Sequence, residues 1–229
     1  MKLDPNFESE EEIKLSVGLS MINLMYTSTN ESLESIVAGL DVQSEDKILG
    51  ILGSGQQGLA ILENGPKVDL IDYEEKQIKY SLGLFNFIKN TKNSNKSCRN
   101  ILYKISYDVN TKIYFSSVPR IKRIRKNISR LNVLPTQNIF ELEKNLLKYN
   151  KVYLSNAVDY NSFEIEDQIE RLEKFGSKFN SGTLFYISRR FYSGKIKGFC
   201  IEKDLTQKAK ALKEKGRMTE WEPRVLIKN

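Results

Sequence analysis

Asp46-Lys-Ile-Leu-Gly-Ile-Leu-Gly-Ser-Gly-Gln-Gln-Gly58, followed by Lys67-Val-Asp-Leu-Ile-Asp72, is the stretch that decides the fold. It reads as a strand over 46–52, a glycine turn, a helix over 59–64 and a second strand over 67–71 that ends in an acid. Gly53, Gly55 and Gly58 strip the turn of side chains, so a ligand can lie against the backbone where the helix begins. About twenty residues on, the Asp72 carboxylate is placed to accept the hydroxyls of a ribose. The same Gly-x-Gly-x-x-Gly spacing serves nicotinamide enzymes, and a tight turn in any α/β protein would also produce it. Asp69 shares the strand but lies short of its C-terminal end, which leaves it a structural or solvated acid.

Beyond Asp72, Ile78, Leu82, Phe85 and Ile88 recur at helical spacing and return the chain for another strand. Asn90 to Ser97 reads as a loop, and Lys112 to Ser117 as a strand, within an insertion spanning about 91–130. Leu131 to Pro135 is the next strand, Ile139 to Tyr149 a helix, and Lys151 to Asn156 a fourth strand. A helix over 163–175, with Ile165, Ile169 and Leu172 inward, a strand over 182–190, a helix over 205–215 and a strand over 224–228 complete the alternation. The expected fold class is therefore α/β: a Rossmann-like, mostly parallel sheet with helices on both faces, an N-terminal helical region and a basic insertion. The expected division is an N-terminal helical lid over 1–41, built from helices at 11–26 and 27–40, and a ligand-binding domain over 42–229.

The chain has 229 residues, enough for one sizeable core, and its hydrophobic share of 40% and charged share of 28% are those of an ordinary globular protein. No run approaches the length of a membrane span, and the acidic N-terminus lacks a secretory apolar segment, so a cytoplasmic location is expected. Two cysteines, Cys98 and Cys200, cannot form a disulfide framework or a cysteine-based zinc site. The absence of histidine removes Ser-His-Asp and Cys-His nucleophile systems and histidine-ligated metals, so no metal is expected. Proton transfer falls to Asp, Glu, Tyr, Lys or the substrate, which favours chemistry whose leaving group departs without an acid; a sulfonium donor is such a case.

Between Lys76 and Phe140 the only acid is Asp108. In Pro119 to Arg130, Ile121, Ile124 and Ile128 share one helical face with Lys122, Arg123, Arg125 and Lys126 around it. Such a segment is either a solvated face of a packed helix or a contact for anionic membrane lipids, nucleic-acid phosphates or an anionic small substrate.

With these pieces in order, the chain resembles the class I S-adenosylmethionine-dependent transferases, in Gly53 to Gly58, in Asp72 and in Ser155-Asn-Ala-Val-Asp-Tyr160. A narrower resemblance is to the S-adenosylmethionine:diacylglycerol 3-amino-3-carboxypropyl transferases of betaine-lipid synthesis. It is carried by Met25-Tyr-Thr-Ser-Thr-Asn-Glu31, by Val-Asp-Leu-Ile-Asp72 with Gln77, and by Leu154 to Tyr160. The resemblance implies S-adenosyl-L-methionine as co-substrate, transfer of its aminocarboxypropyl arm to a small or lipid acceptor, and release of methylthioadenosine. Gly53, Ser54, Gly55 and Gln57 would line the donor, with Asp72 and Tyr73 at the ribose, Gln137 or Asn138 near the adenine, and Asn156 at the acceptor border. Asp159, Tyr160 and Glu31 are the expected catalytic groups, Glu31 facing the donor's amino-acid end. Tyr160 reads equally as a packing tyrosine, and Glu31 as a first-turn acid. Methyl transfer, and a nucleic-acid-binding protein on a Rossmann scaffold, are the alternatives.

Overall fold

A computed structural model describes residues 28–29, 31–90, 95–106, 109–143, 145–159, 164–189, 195–213 and 222–229. Seven strands form one sheet: β1 (Lys47–Ile51), β2 (Lys67–Ile71), β3 (Leu131–Val133), β4 (Lys151–Ser155), β5 (Leu184–Arg189), β6 (Phe199–Ile201) and β7 (Glu222–Lys228). Their order is β3-β2-β1-β4-β5-β7-β6. The first five run parallel, and β7 is antiparallel to both β5 and β6. The order reverses between β1 and β4, and in open α/β sheets that crevice, at the C-terminal ends of the strands, is where ligands bind.

The central strands are apolar on both faces because helices cover both. Along β1, Ile48 points into one core with Val68, Leu70, Tyr153 and Tyr186, while Leu49 points into the other with Ile71, Val152, Leu154 and Phe185. The first core is covered by α1 (Leu33–Gly39), α2 (Gln56–Leu62), α3 (Glu75–Asn90), α4 (Asn95–Ile105), α5 (Val109–Ser116) and α6 (Val118–Asn127). Leu172 and Phe175 of α7 (Ile165–Gly176) cover the second, where Phe175, Phe179, Phe185 and Phe199 pack edge to face. The last helix, α8 (Lys203–Leu212), packs on α1, whose Ser35 hydroxyl donates to the Ala209 carbonyl at 2.8 Å.

Several expectations change. Helix 11–26 lies outside the described residues; Leu33 and Ile36 of α1, and Leu40 just after it, are buried in the first core. The expected strand at 112–117 is helix α5: Thr111, Tyr114 and Phe115 are buried at helical spacing, a pattern that outweighs their β-prone composition. Helix α4 begins inside the expected loop. The expected helix 139–149 is two short 3-10 turns, Ile139–Glu141 and Leu146–Lys148. Leu142 is extended and stops the first turn, while Ile139, Leu142, Leu146 and Tyr149 still bury on one face. Ile165, expected inward, is exposed, and so is Leu82 of the helically spaced apolar set on α3. Strand β6, only three residues long, had no sequence signal.

Candidate functional site

The turn after β1 is held by the second strand. Leu52 N–H donates to the Ile71 carbonyl, and Gly55 N–H to the Leu52 carbonyl at 2.8 Å. Gly55 has φ +78°, which glycine alone adopts at no cost, and a side chain there would press on Phe85 and Ser81. Gly58 serves packing: a Cβ on it would lie 2.4 Å from Leu70, so its absence lets α2 settle onto β2.

Asp72 closes the turn. One carboxylate oxygen accepts the Gly53 N–H at 3.1 Å and the other accepts the Glu74 N–H at 3.0 Å. The Asp72 carbonyl takes the Gln137 N–H, tying in the loop after β3. Burial pushes the carboxyl above the ordinary aspartate range, against the lowering effect of N–H groups from Glu74, Gly53 and Tyr73. A carboxylate offers about four lone-pair sites. Asp72 also lines a cleft.

That cleft encloses about 300 Å³ and is lined by Ser28, Thr29, Ile51, Gly53, Gln57, Asp72, Tyr73, Gln137, Asn138, Ile139, Phe140, Ser155, Asn156, Ala157 and Arg171. Gly53, Gln57, Asp72, Tyr73, Asn138 and Asn156 therefore gather around one cleft. Ser54 and Gly55 shape the turn without joining the lining: Ser54 is buried, its hydroxyl donating to Gln57 at 3.1 Å. Asn138 lines the cleft while its side chain caps the 3-10 turn through the Phe140 N–H. At the far wall, the Arg171 guanidinium lies 5.4 Å from the Phe140 ring centre. Sequence reading missed both residues, because α7 and the 3-10 turn meet only in the folded chain.

Glu31 sits at the ends of β4 and β5, where its carboxylate accepts the hydroxyls of Tyr153, Ser155 (2.8 Å) and Ser188. Among the described residues it stands behind Ser155 rather than in the lining. Burial and then the Glu31 charge hold the Tyr153 phenol protonated far beyond its ordinary range. Ser155 has φ +54°, unusual for a side-chain-bearing residue, and interrupts the β4–β5 register. Local strain of this kind is retained where the surroundings enforce it, and here it turns the hydroxyl to both Glu31 and the cleft. Asp159 is not among the described lining residues, and Tyr160 lies outside the described residues. Gln56, fully buried, receives the Ser28 hydroxyl and the Thr29 N–H on its oxygen and donates to Ser106 at 2.9 Å.

No protein-family model and no curated protein matches the chain. Among solved structures it is similar to the cyclase SpnF (10% identity, 79% of this chain and 54% of that one, TM-score 0.43). It is also similar to magnesium protoporphyrin IX methyltransferase from Synechocystis PCC 6803 with bound SAM (12%, 79% of that chain and 96% of this one, TM-score 0.47). A third is an RNA methyltransferase from Salinibacter ruber in complex with S-adenosyl-L-homocysteine (9%, 69% of this chain and 73% of that one, TM-score 0.41). The chain spans about half the length of the cyclase. At these identities and scores none of the likenesses bears on activity.

Proposed function

We propose that the chain is a transferase that takes S-adenosyl-L-methionine as its group donor and moves the methyl group to a nucleophilic acceptor. The observation that carries this reading is Asp72, whose carboxylate both braces the glycine turn and lines the cleft at the sheet's crossover. The residues fit the donor's parts. Asp72 would accept a ribose hydroxyl, and Ile139 and Phe140 offer apolar surface for adenine beside the polar edge of Asn138. Gly53 and Gln57, with Ser28, Thr29, Ser155 and Asn156, would surround the amino-acid end. Glu31, spent on three hydroxyls, acts in this scheme through Ser155 as a fixed negative charge near the donor's ammonium.

When bound, the donor supplies a sulfonium whose carbon is open to in-line displacement. An acceptor lone pair forms the new bond to that carbon, the electrons of the carbon–sulfur bond return to sulfur, and the acceptor's proton leaves to water. The protein's share is positioning, worth several kcal/mol where the reacting atoms are aligned. Aminocarboxypropyl transfer would use the same cleft with the donor's other carbon toward the acceptor.

Incubation of the protein with S-adenosyl-L-methionine and candidate acceptors, followed by mass spectrometry of the nucleoside, tests this. S-adenosyl-L-homocysteine is expected. Methylthioadenosine would replace methyl with aminocarboxypropyl transfer, and no donor binding by calorimetry would overturn the reading.

A further inference from the structure

The outward surface of helices α4 and α5 combines exposed apolar and basic side chains. On α5, Val109 and Ile113, one turn apart, are 65% and 61% exposed, while Thr111, Tyr114 and Phe115 bury against the core. Tyr103 of α4 is 48% exposed, and the Lys112 ammonium lies 5.5 Å from its ring centre, so lysine joins the two helices' exposed residues. Along α4, Lys96, Arg99 and Lys104 share the outward stripe with Tyr103, whereas Cys98, Ile101, Leu102 and Ile105 face inward. The described residues of α4, α5 and α6 contain no acid, and Asp108 is the only one in the sequence from Lys76 to Phe140.

We propose that this face of α4 and α5 docks on an anionic lipid bilayer, with Tyr103, Val109 and Ile113 entering the headgroup region and Lys96, Lys104 and Lys112 meeting lipid phosphates. Two aliphatic side chains held this far out of the core gain nothing in water but are suited to the boundary between headgroups and acyl chains. A tyrosine flanked by lysines is an interfacial anchor, its ring in the apolar layer and its hydroxyl in the wet one. A nucleic-acid surface would use the lysines and the tyrosine but leave Val109 and Ile113 unexplained. No described helix is long and apolar enough to cross a membrane, so the contact is peripheral. The buried end of α4 is tied to the cleft wall. Ser106, at the end of α4, is bonded to Gln56, which holds Ser28 and Thr29 of the lining. The inference rests on the exposed face and is independent of which group the cleft transfers.

Cosedimentation of the full chain with phosphatidylcholine vesicles, alone or mixed with phosphatidylglycerol, tests it without any turnover. Binding is expected to the mixed vesicles only. The double substitution V109S/I113S, which leaves every charge in place, should weaken it by about tenfold or more. Replacing Lys104 or Lys112 by Gln should cost about fivefold each. Both positions of the double variant are exposed, so its melting temperature should match that of the unaltered protein. Absence of binding to mixed vesicles, or binding indifferent to V109S/I113S, overturns the proposal. So does salt-sensitive binding of single-stranded RNA that the lysine variants lose and V109S/I113S keeps, without vesicle binding.

Discussion

Substitution of Asp72 by alanine should damage both the fold and the site. The sequence alone suggests that such a variant keeps its fold and loses only its ligand. In the structure the carboxylate is also the acceptor for two backbone donors, Gly53 N–H at 3.1 Å and Glu74 N–H at 3.0 Å. Stranding the buried Gly53 donor costs about 1–3 kcal/mol, and losing the partly solvated Glu74 bond about 1 kcal/mol more. Removing a carboxylate that burial disfavours offsets part of this. A net loss of about 1–3 kcal/mol is expected, a Tm lower by roughly 3–10 °C for a chain of this size. Donor affinity should fall by at least about tenfold, since one hydrogen bond to a charged group contributes about 1.5–3 kcal/mol. Asp72→Asn is the informative companion, because its NH2 must face one of the two backbone N–H groups. Thermal melts without donor, with calorimetric titration of S-adenosyl-L-methionine, separate the two effects. An Asp72→Ala protein with unchanged Tm refutes the bracing argument, and unchanged donor affinity refutes the site.

The raised Asp72 pKa gives a pH signature. Its stability contribution declines as pH rises from the ordinary aspartate value through the folded one, because the native state binds the proton more tightly; donor affinity, needing the carboxylate, should fall as pH drops through that window. Calorimetry across the acid range checks this, and Asp72→Asn should remove the dependence. Gly58→Ala places a methyl against Leu70 and should cost about 1–3 kcal/mol in denaturant unfolding. Lys151 and Asp46 form an ion pair at 2.7 Å with both side chains under 10% exposed, so Lys151→Ala should cost about 3–5 kcal/mol by leaving a buried carboxylate unpaired. The double variant with Asp46→Asn should recover part of that, and equal losses for the single and double variants would argue against the pairing.

What the sequence made legible was local. The turn and Asp72 could be read because β1, the glycines and β2 are contiguous, and each has its own residue signature at short spacing. The same locality explains the misreadings. Thr111 to Phe115 has the composition of a strand, and only burial against α4 and α6 selects the helical period. Ile139 to Tyr149 has helical spacing, yet those apolar residues fill the second core through two separate turns. Arg171 and Phe140 meet across 31 positions of chain, a pairing no local pattern announces.

The distribution of side chains around Glu31 and Gln56 explains how a cleft without histidine keeps its geometry. Two of its walls are fixed by polar groups that do not themselves belong to the lining. Glu31 gathers hydroxyls from β4 and β5, and so sets where Ser155 points despite its strained backbone. Gln56 spends its carboxamide on Ser28, Thr29 and Ser106, locking the segment before α1 to the end of α4. These bonds are buried or partly so, where an unmade bond is costly, and each therefore favours one arrangement of three chain segments over others. Gln56→Leu, similar in volume but unable to bond, should loosen that arrangement. Hydrogen exchange at the Thr29 amide should then accelerate while the amides of β1 stay protected. Unchanged exchange at Thr29 would mean that Gln56 is filler rather than a tie.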